Sequence, residues 1–188
     1  MIRSRGLLGI GLALLVGIAP LSSRLHADTR VVVLHTLRAE PMSEDAPAFS
    51  VTDIDGKPFV LSEHLGHPLV LHFWATWCEP CRHELPVLGD AFRRLGDNDA
   101  RFIAISIDHD LPLEQIRAAA HAFNLPFPVA VASTGDISER YWALGIPMTY
   151  FVDRRGRLTQ RFRGSSDWSS PTAQRALAEL VSSPRVAP

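Results

Sequence analysis

The sequence is poor in cysteine, with two in 188 residues. Two cysteines cannot staple a disulfide-rich mini-protein or supply a four-thiolate zinc site. An excess of charge is missing too: 19 Lys+Arg stand against 20 Asp+Glu, a formal net charge of −1 with His neutral. That balance argues against a protein held to nucleic acid by phosphate contacts. Glycine and proline, 12 and 14, are too few and the hydrophobic fraction, 46%, too high for a disordered chain. No G-x-G-x-x-G run occurs, so a nicotinamide or flavin fingerprint is lacking. Internal repeats are absent as well. What is present is length enough for one domain with its own core.

The N-terminus reads as an export segment. Arg3 and Arg5 precede an uncharged run from Gly6 to Leu21. Its apolar core, about 15 residues, is short for a membrane span, which needs about 20. Residues 1–27 are therefore expected to be a signal peptide, cleaved after Ala27, or an N-terminal membrane anchor with Arg3 and Arg5 on the cytoplasmic side. Both readings make the rest of the chain extracytoplasmic, periplasmic in a bacterium, with membrane association possible through this segment. Residues 28–47 read as a linker, with a candidate short strand at Val31–Leu34, and residues 48–182 as the folded domain.

Within that domain, Phe49–Asp53 and Pro58–Leu61 flank the turn signal Asp55-Gly56 and predict a β-hairpin. Ser62–Gly66 reads as one helical turn capped by Ser62. Leu69–Trp74 is a nearly continuous apolar run, the pattern of a central strand covered on both faces. Glu79–Leu95 has helical periodicity with Pro86 inside it. Arg101–Ile107 predicts a second buried strand, Pro112–Phe123 a helix with Leu113, Ile116, Ala120 and Phe123 inward, and Pro128–Val131 a short strand. A helix over Asp136–Leu144, strands over Met148–Asp153 and Leu158–Arg163, and a helix capped by Ser170 complete the chain. The alternation predicts an α/β domain with a mixed sheet.

Both cysteines fall in Trp77-Cys78-Glu79-Pro80-Cys81, between a buried strand and a helix. In that setting the spacing reads as a redox disulfide. A helix N-terminus lowers a thiol pKa, so Cys78 is expected at the helix tip, exposed and nucleophilic. Cys81, one turn in, is the resolving thiol. Pro80 stiffens the intervening turn. Glu79 sets a negative charge beside the thiols, which leans toward a reducing couple. Half of a zinc site and a structural disulfide are the competing readings. The first lacks a second Cys pair, and a loop this short is a poor staple. Trp74 and Trp77 flank the pair and are expected to shield it and offer flat contact area.

Phe73–Cys81, with Pro86 following, resembles the thioredoxin active site and its kinked helix. Gly145–Asp153 resembles that family's second signature, and the strand and helix between Ile103 and Leu125 resemble the insertion of the TlpA-like extracytoplasmic thioredoxins. These include the thiol reductants of cytochrome c maturation. The resemblance covers Ala48 to Val181. It implies a thioredoxin fold with an N-terminal β-hairpin and a central strand–helix insertion. It also implies a cis peptide at Pro147, near Cys78, with Ile146 beside it as a strand-like contact for substrate. Glu84 matches a position implicated in that family in active-site pKa and partner recognition, with a solvated surface glutamate as the alternative. His72 departs from thioredoxin, which carries a buried acid there. It is expected to be either a hydrogen-bonded core histidine or a proton relay to Cys81. Trp168, in the loop before the last helix, is expected to pack.

These features predict a protein-disulfide reductase using the Cys78–Cys81 dithiol, with no cofactor and no metal. Its partners would be disulfide-containing clients, cytochrome c maturation being one route, and a membrane thiol–disulfide electron donor. Two alternatives stay open. One is a thioredoxin-fold peroxidase using Thr76 and Arg82 beside the thiol. The other is a copper chaperone using the Cys pair and a distant His.

Overall fold

The computed structural model describes residues 39–96, 99–134, 137–141 and 145–184. The export segment 1–27, the candidate strand Val31–Leu34 and the end of the helix expected over Asp136–Leu144 lie outside the described residues. In chain order the elements are β1 (Ala39–Asp45), β2 (Ser50–Thr52), β3 (Pro58–Val60), a 3₁₀ turn (Leu61–His64) and β4 (Leu69–Trp74). Then come α1 (Glu79–Leu95), β5 (Arg101–Ser106), α2 (Leu113–Ala122), β6 (Val129–Val131), a 3₁₀ turn (Ala132–Thr134) and α3 (Ile137–Arg140). β7 (Met148–Val152), β8 (Arg157–Arg163) and α4 (Pro171–Val181) close the chain.

Six strands form one sheet in the order β1-β8-β7-β4-β5-β6, and β2-β3 form a separate hairpin. β4 pairs parallel with β5 and antiparallel with β7. All six of its residues are buried, as its apolar run predicts. Alternation along the strand divides the core. Val70 and Trp74, and His72 between them, face the layer built by Cys81, Leu85 and Leu88 of α1, Ile116 and Ala120 of α2, and Ala173, Leu177 and Leu180 of α4. Leu69, Leu71 and Phe73 face the hairpin residues Val51 and Phe59 and the α3-side residues Ile137 and Tyr141. This is the mixed α/β fold expected, with the redox motif at the end of the central strand.

Three local expectations need correction. The linker assigned to 28–47 contains a strand: β1 pairs with β8 at the sheet edge. Only Ala39 of it is buried, so no apolar pattern announces it. It is held by its backbone ladder and by Glu40, which pairs with Arg161 and, at 2.9 Å, with Arg163. Ser62 is not a helix cap; the turn is 3₁₀, Val60 sits at its start, and no side chain caps it. Leu113 is exposed, because it opens α2 and the inward stripe is carried by Ile116 and Ala120.

Candidate active site

The site is built where β4 ends. Cys78 N–H donates to Ala75 O (3.1 Å), closing a turn, and Cys78 becomes the N-cap of α1. Its Sγ accepts the Cys81 N–H at 3.2 Å. An N-cap side chain satisfies one of the free donors of a helix start; here a sulfur takes that place. Pro80 lies in the first turn, where its missing N–H costs no helical bond. The cysteines form a disulfide, with Cα atoms 5.3 Å apart. Cys81 is fully buried and Cys78 is 5% exposed, so the disulfide exposes far less of Cys78 than the sequence suggests. The exposed group beside it is Trp77, 68% accessible. Trp74 offers no surface at all. As a strand residue it points into the core, edge-on to Phe123 with ring centroids 5.7 Å apart, whereas Trp77 lies past the strand in the turn.

Glu79 is exposed and paired along the helix with His83 (3.0 Å) and Arg82 (3.7 Å). Its carboxylate is therefore engaged by Arg82 and the His83 ring at the surface rather than aimed at the sulfurs alone. Glu84, one turn behind Cys81, is 3% exposed and is not a solvated surface residue. One carboxyl oxygen, Oε1, accepts the indole N–H of Trp168, while Oε2 has no hydrogen-bond partner among the described residues. Burial pushes its pKa up to about 7, opposed in part by Trp168, the Ser165 hydroxyl and the Ser166 N–H.

His72 is buried on the same sheet face. Its Nδ1 lies 2.9 Å from Thr149 Oγ1, across the β4–β7 register, and Nε2 has no partner among the described residues. Burial pushes its pKa down to about 3, so the imidazole is neutral. The Ile146–Pro147 peptide is cis. Pro147 is buried and Ile146 half-buried, and Pro147 O accepts the Gly164 N–H at 2.9 Å.

Two polar contacts of the site carry no local signal in the sequence. Asp108, at the end of β5, accepts from Thr76, next but one before Cys78. Trp168 packs on Phe151 and Phe162, as a packing residue would, but also holds Glu84. Both act across long sequence separations, which spacing rules near the motif do not reach.

Residues 42–161 match the AhpC/TSA family. The chain is 30% identical over 124 residues to the thiol-disulfide oxidoreductase ResA of Bacillus thuringiensis subsp. konkukian (strain 97-27), spanning 65% of this chain and 70% of that protein. Among solved structures, it is similar to a putative protein disulfide isomerase from Bacteroides thetaiotaomicron, with a TM-score of 0.66, 27% identity, and 74% of this chain and 89% of that one covered. It also shares the fold of a putative thiol:disulfide interchange protein DsbE from Chlorobium tepidum, with a TM-score of 0.63, 24% identity, and 74% and 94% covered. The chain belongs to the AhpC/TSA family, within its TlpA-like thioredoxin-fold thiol-disulfide oxidoreductases.

Proposed function

We propose that this protein is an extracytoplasmic reductant of protein disulfides. The Cys78 thiolate attacks one sulfur of a client disulfide, forming a mixed disulfide and expelling the client's other sulfur as a thiolate. Cys81 then attacks Cys78 Sγ. The second client thiol leaves, and Cys78–Cys81 is oxidised. Two electrons pass to the client, and a membrane dithiol donor restores the pair by the same exchange in reverse. Glu84 takes up the Cys81 proton before the second attack. The observation that carries this reading is a disulfide seated at the start of α1, with a buried carboxyl, Glu84, one helical turn behind the buried Cys81. His72, neutral and bonded to Thr149, serves as a core residue rather than as the base. Ile146 and cis-Pro147 are the backbone against which an extended client segment aligns, with Trp77 as its flat neighbour. The Cys-Glu-Pro-Cys motif followed by Glu84 supports a client thiol pair of the kind handled in cytochrome c maturation. Residues 1–27 support export.

The rival readings have less behind them. A peroxidase would aim Thr76 and Arg82 at the thiol, but the Thr76 hydroxyl donates to Asp108 and Arg82 pairs with Glu79. A copper chaperone would add a third ligand to the thiols. Among the described residues, no three His, Cys, Asp or Glu come together, and His83 is paired with Glu79. The deciding measurement is the reduction potential of the Cys78–Cys81 couple. The expected value is near the thioredoxin end of the scale, about −270 mV, and one near −120 mV would mark an oxidant and sink the proposal.

A further inference from the structure

Asp108 is a buried carboxylate that the exchange chemistry above does not use. It is 4% exposed and accepts from three donors at one point: Thr76 N–H at 3.0 Å, the Thr76 hydroxyl at 2.8 Å and the Ser106 hydroxyl at 2.6 Å. Ser106 Oγ in turn accepts the Asp108 N–H at 3.1 Å. The backbone ladder between β4 and β5 ends at the Trp74–Ser106 pair. Beyond it, Ile107 N–H donates to Trp74 O at 2.8 Å. The Asp108 side chain makes the next link, holding Thr76 where no strand continues. Cys78 N–H then closes on Ala75 O. An unbroken series of bonds thus runs from the sheet through Asp108 and Thr76 to the turn that carries the nucleophile.

We propose that Asp108 is the positioning residue of Cys78: it fixes the loop from Ala75 to Cys78 so that the sulfur stays seated as the cap of α1. The seat matters because Sγ faces the first-turn N–H groups only from that position, as its bond from Cys81 N–H records. These donors and the helix dipole stabilise a thiolate there. A carboxylate suits the task because it alone among side chains offers enough lone pairs to accept three donors in one buried place. A rival explanation is that Asp108 acts through its charge, which would disfavour a nearby thiolate. The two roles predict opposite signs: losing a positioning group weakens the thiolate, and losing a repelling charge strengthens it.

The inference rests on the disulfide-exchange reading, and the test separates the two. In the reduced full chain, the rate of Cys78 alkylation by iodoacetamide is followed from pH 5 to 9, and the potential of the pair is measured against glutathione. Asp108→Ala is expected to slow alkylation at pH 7 about tenfold and to move the profile to higher pH by about one unit. Asp108→Asn keeps one of the two acceptor oxygens and is expected to slow the reaction less than Asp108→Ala, about threefold, as is Thr76→Val, which loses the hydroxyl alone. An unchanged or faster Asp108→Ala variant overturns the inference, as does an Asp108→Asn variant that shifts as far as Asp108→Ala. If Asp108→Ala does not fold, Thr76→Val decides, and a parental rate overturns the inference. A parent potential near −120 mV would instead defeat the reductant reading, and the rate ratios would still judge Asp108.

Discussion

The two ends of the central strand differ in how they treat the polar groups buried against it, the Asp108 cluster beyond Trp74 aside. Near Leu69, where β4 begins, Arg154 is 4% exposed and all five of its N–H donors are used. Two go to Asp99 (2.6 and 2.9 Å), and the others to Gly66 O (3.0 Å), Val181 O (2.9 Å) and Ser183 O (3.0 Å). A neutral hydroxyl, Ser183 Oγ, is the exception there. Toward Trp74, where β4 ends beneath the disulfide, His72 Nε2, Trp74 Nε1 and Glu84 Oε2 are all buried without partners among the described residues. Leaving such atoms unpaired is costly, and folds do so sparingly. The satisfied end joins the β7–β8 hairpin, the β3–β4 loop and the α4 terminus into one body. On the proposed mechanism, Glu84, which takes up the Cys81 proton, stands at the end with the unpaired atoms.

Arg154→Met tests that contrast most severely. It removes both Arg154 bonds to Asp99 and the donors to three backbone carbonyls, and is expected to cost about 3 kcal/mol, a little below the range for fully buried pairs because Asp99 is 31% exposed. For a domain of this size, that lowers the melting temperature by about 10 °C. The disulfide's reduction potential should not move. A shifted potential in the folded variant would show that the two ends are coupled, and the contrast would fail.

The pH dependence of stability sharpens the picture within the redox end. Glu84 has its pKa raised to about 7, so the native state holds a proton the unfolded chain has lost. Its contribution is complete below the ordinary carboxyl value, 4.5, and is lost as pH rises to about 7. His72 has its pKa lowered to about 3, so its contribution is present above the ordinary value, 6.5, and is lost as pH falls toward about 3. Between pH 4.5 and 6.5 the two slopes oppose each other, and the parent is expected to be nearly flat. Glu84→Gln unmasks the histidine: stability should fall on acidification across that window by up to roughly 2.5 kcal/mol. His72→Asn unmasks the glutamate, and stability should fall by a similar amount as pH rises. Urea unfolding of the oxidised protein at half-unit pH steps measures both. A flat profile in either variant refutes the assignment for the remaining group.

How far the sequence reveals this division depends on the range over which each residue acts. β4, α1 and the redox pair were legible because periodicity and a five-residue motif are local signals. The cis-Pro147 loop was legible through a second local motif. Proximity to the cysteines suggests that Trp74 lies at the surface, whereas strand alternation, applied strictly, places it inside. Asp108 and Arg154 carry no signal, and Trp168 signals only packing and not its bond to Glu84, since each meets its polar partners only once distant segments are folded together. β1 gave none because an edge strand held by ion pairs and a ladder reads as a polar linker.

Trp168→Phe is the gentlest probe, because it keeps an aromatic ring against Phe151 and Phe162 and removes only the indole donor to Glu84. A hydrogen bond to an ionised acceptor favours the charged form, so losing it should push the Glu84 pKa from about 7 to about 8. Below pH 4.5 the carboxyl is protonated in both proteins, and any stability difference there measures repacking alone. Above it, the loss of stability with rising pH should extend about one unit further than in the parent, and the midpoint of the pH–rate profile for client reduction should move by the same amount. If Glu84→Gln abolishes the inflection near neutrality while Trp168→Phe leaves it in place, Trp168 is packing only. Burial, rather than the indole, would then set the pKa of Glu84.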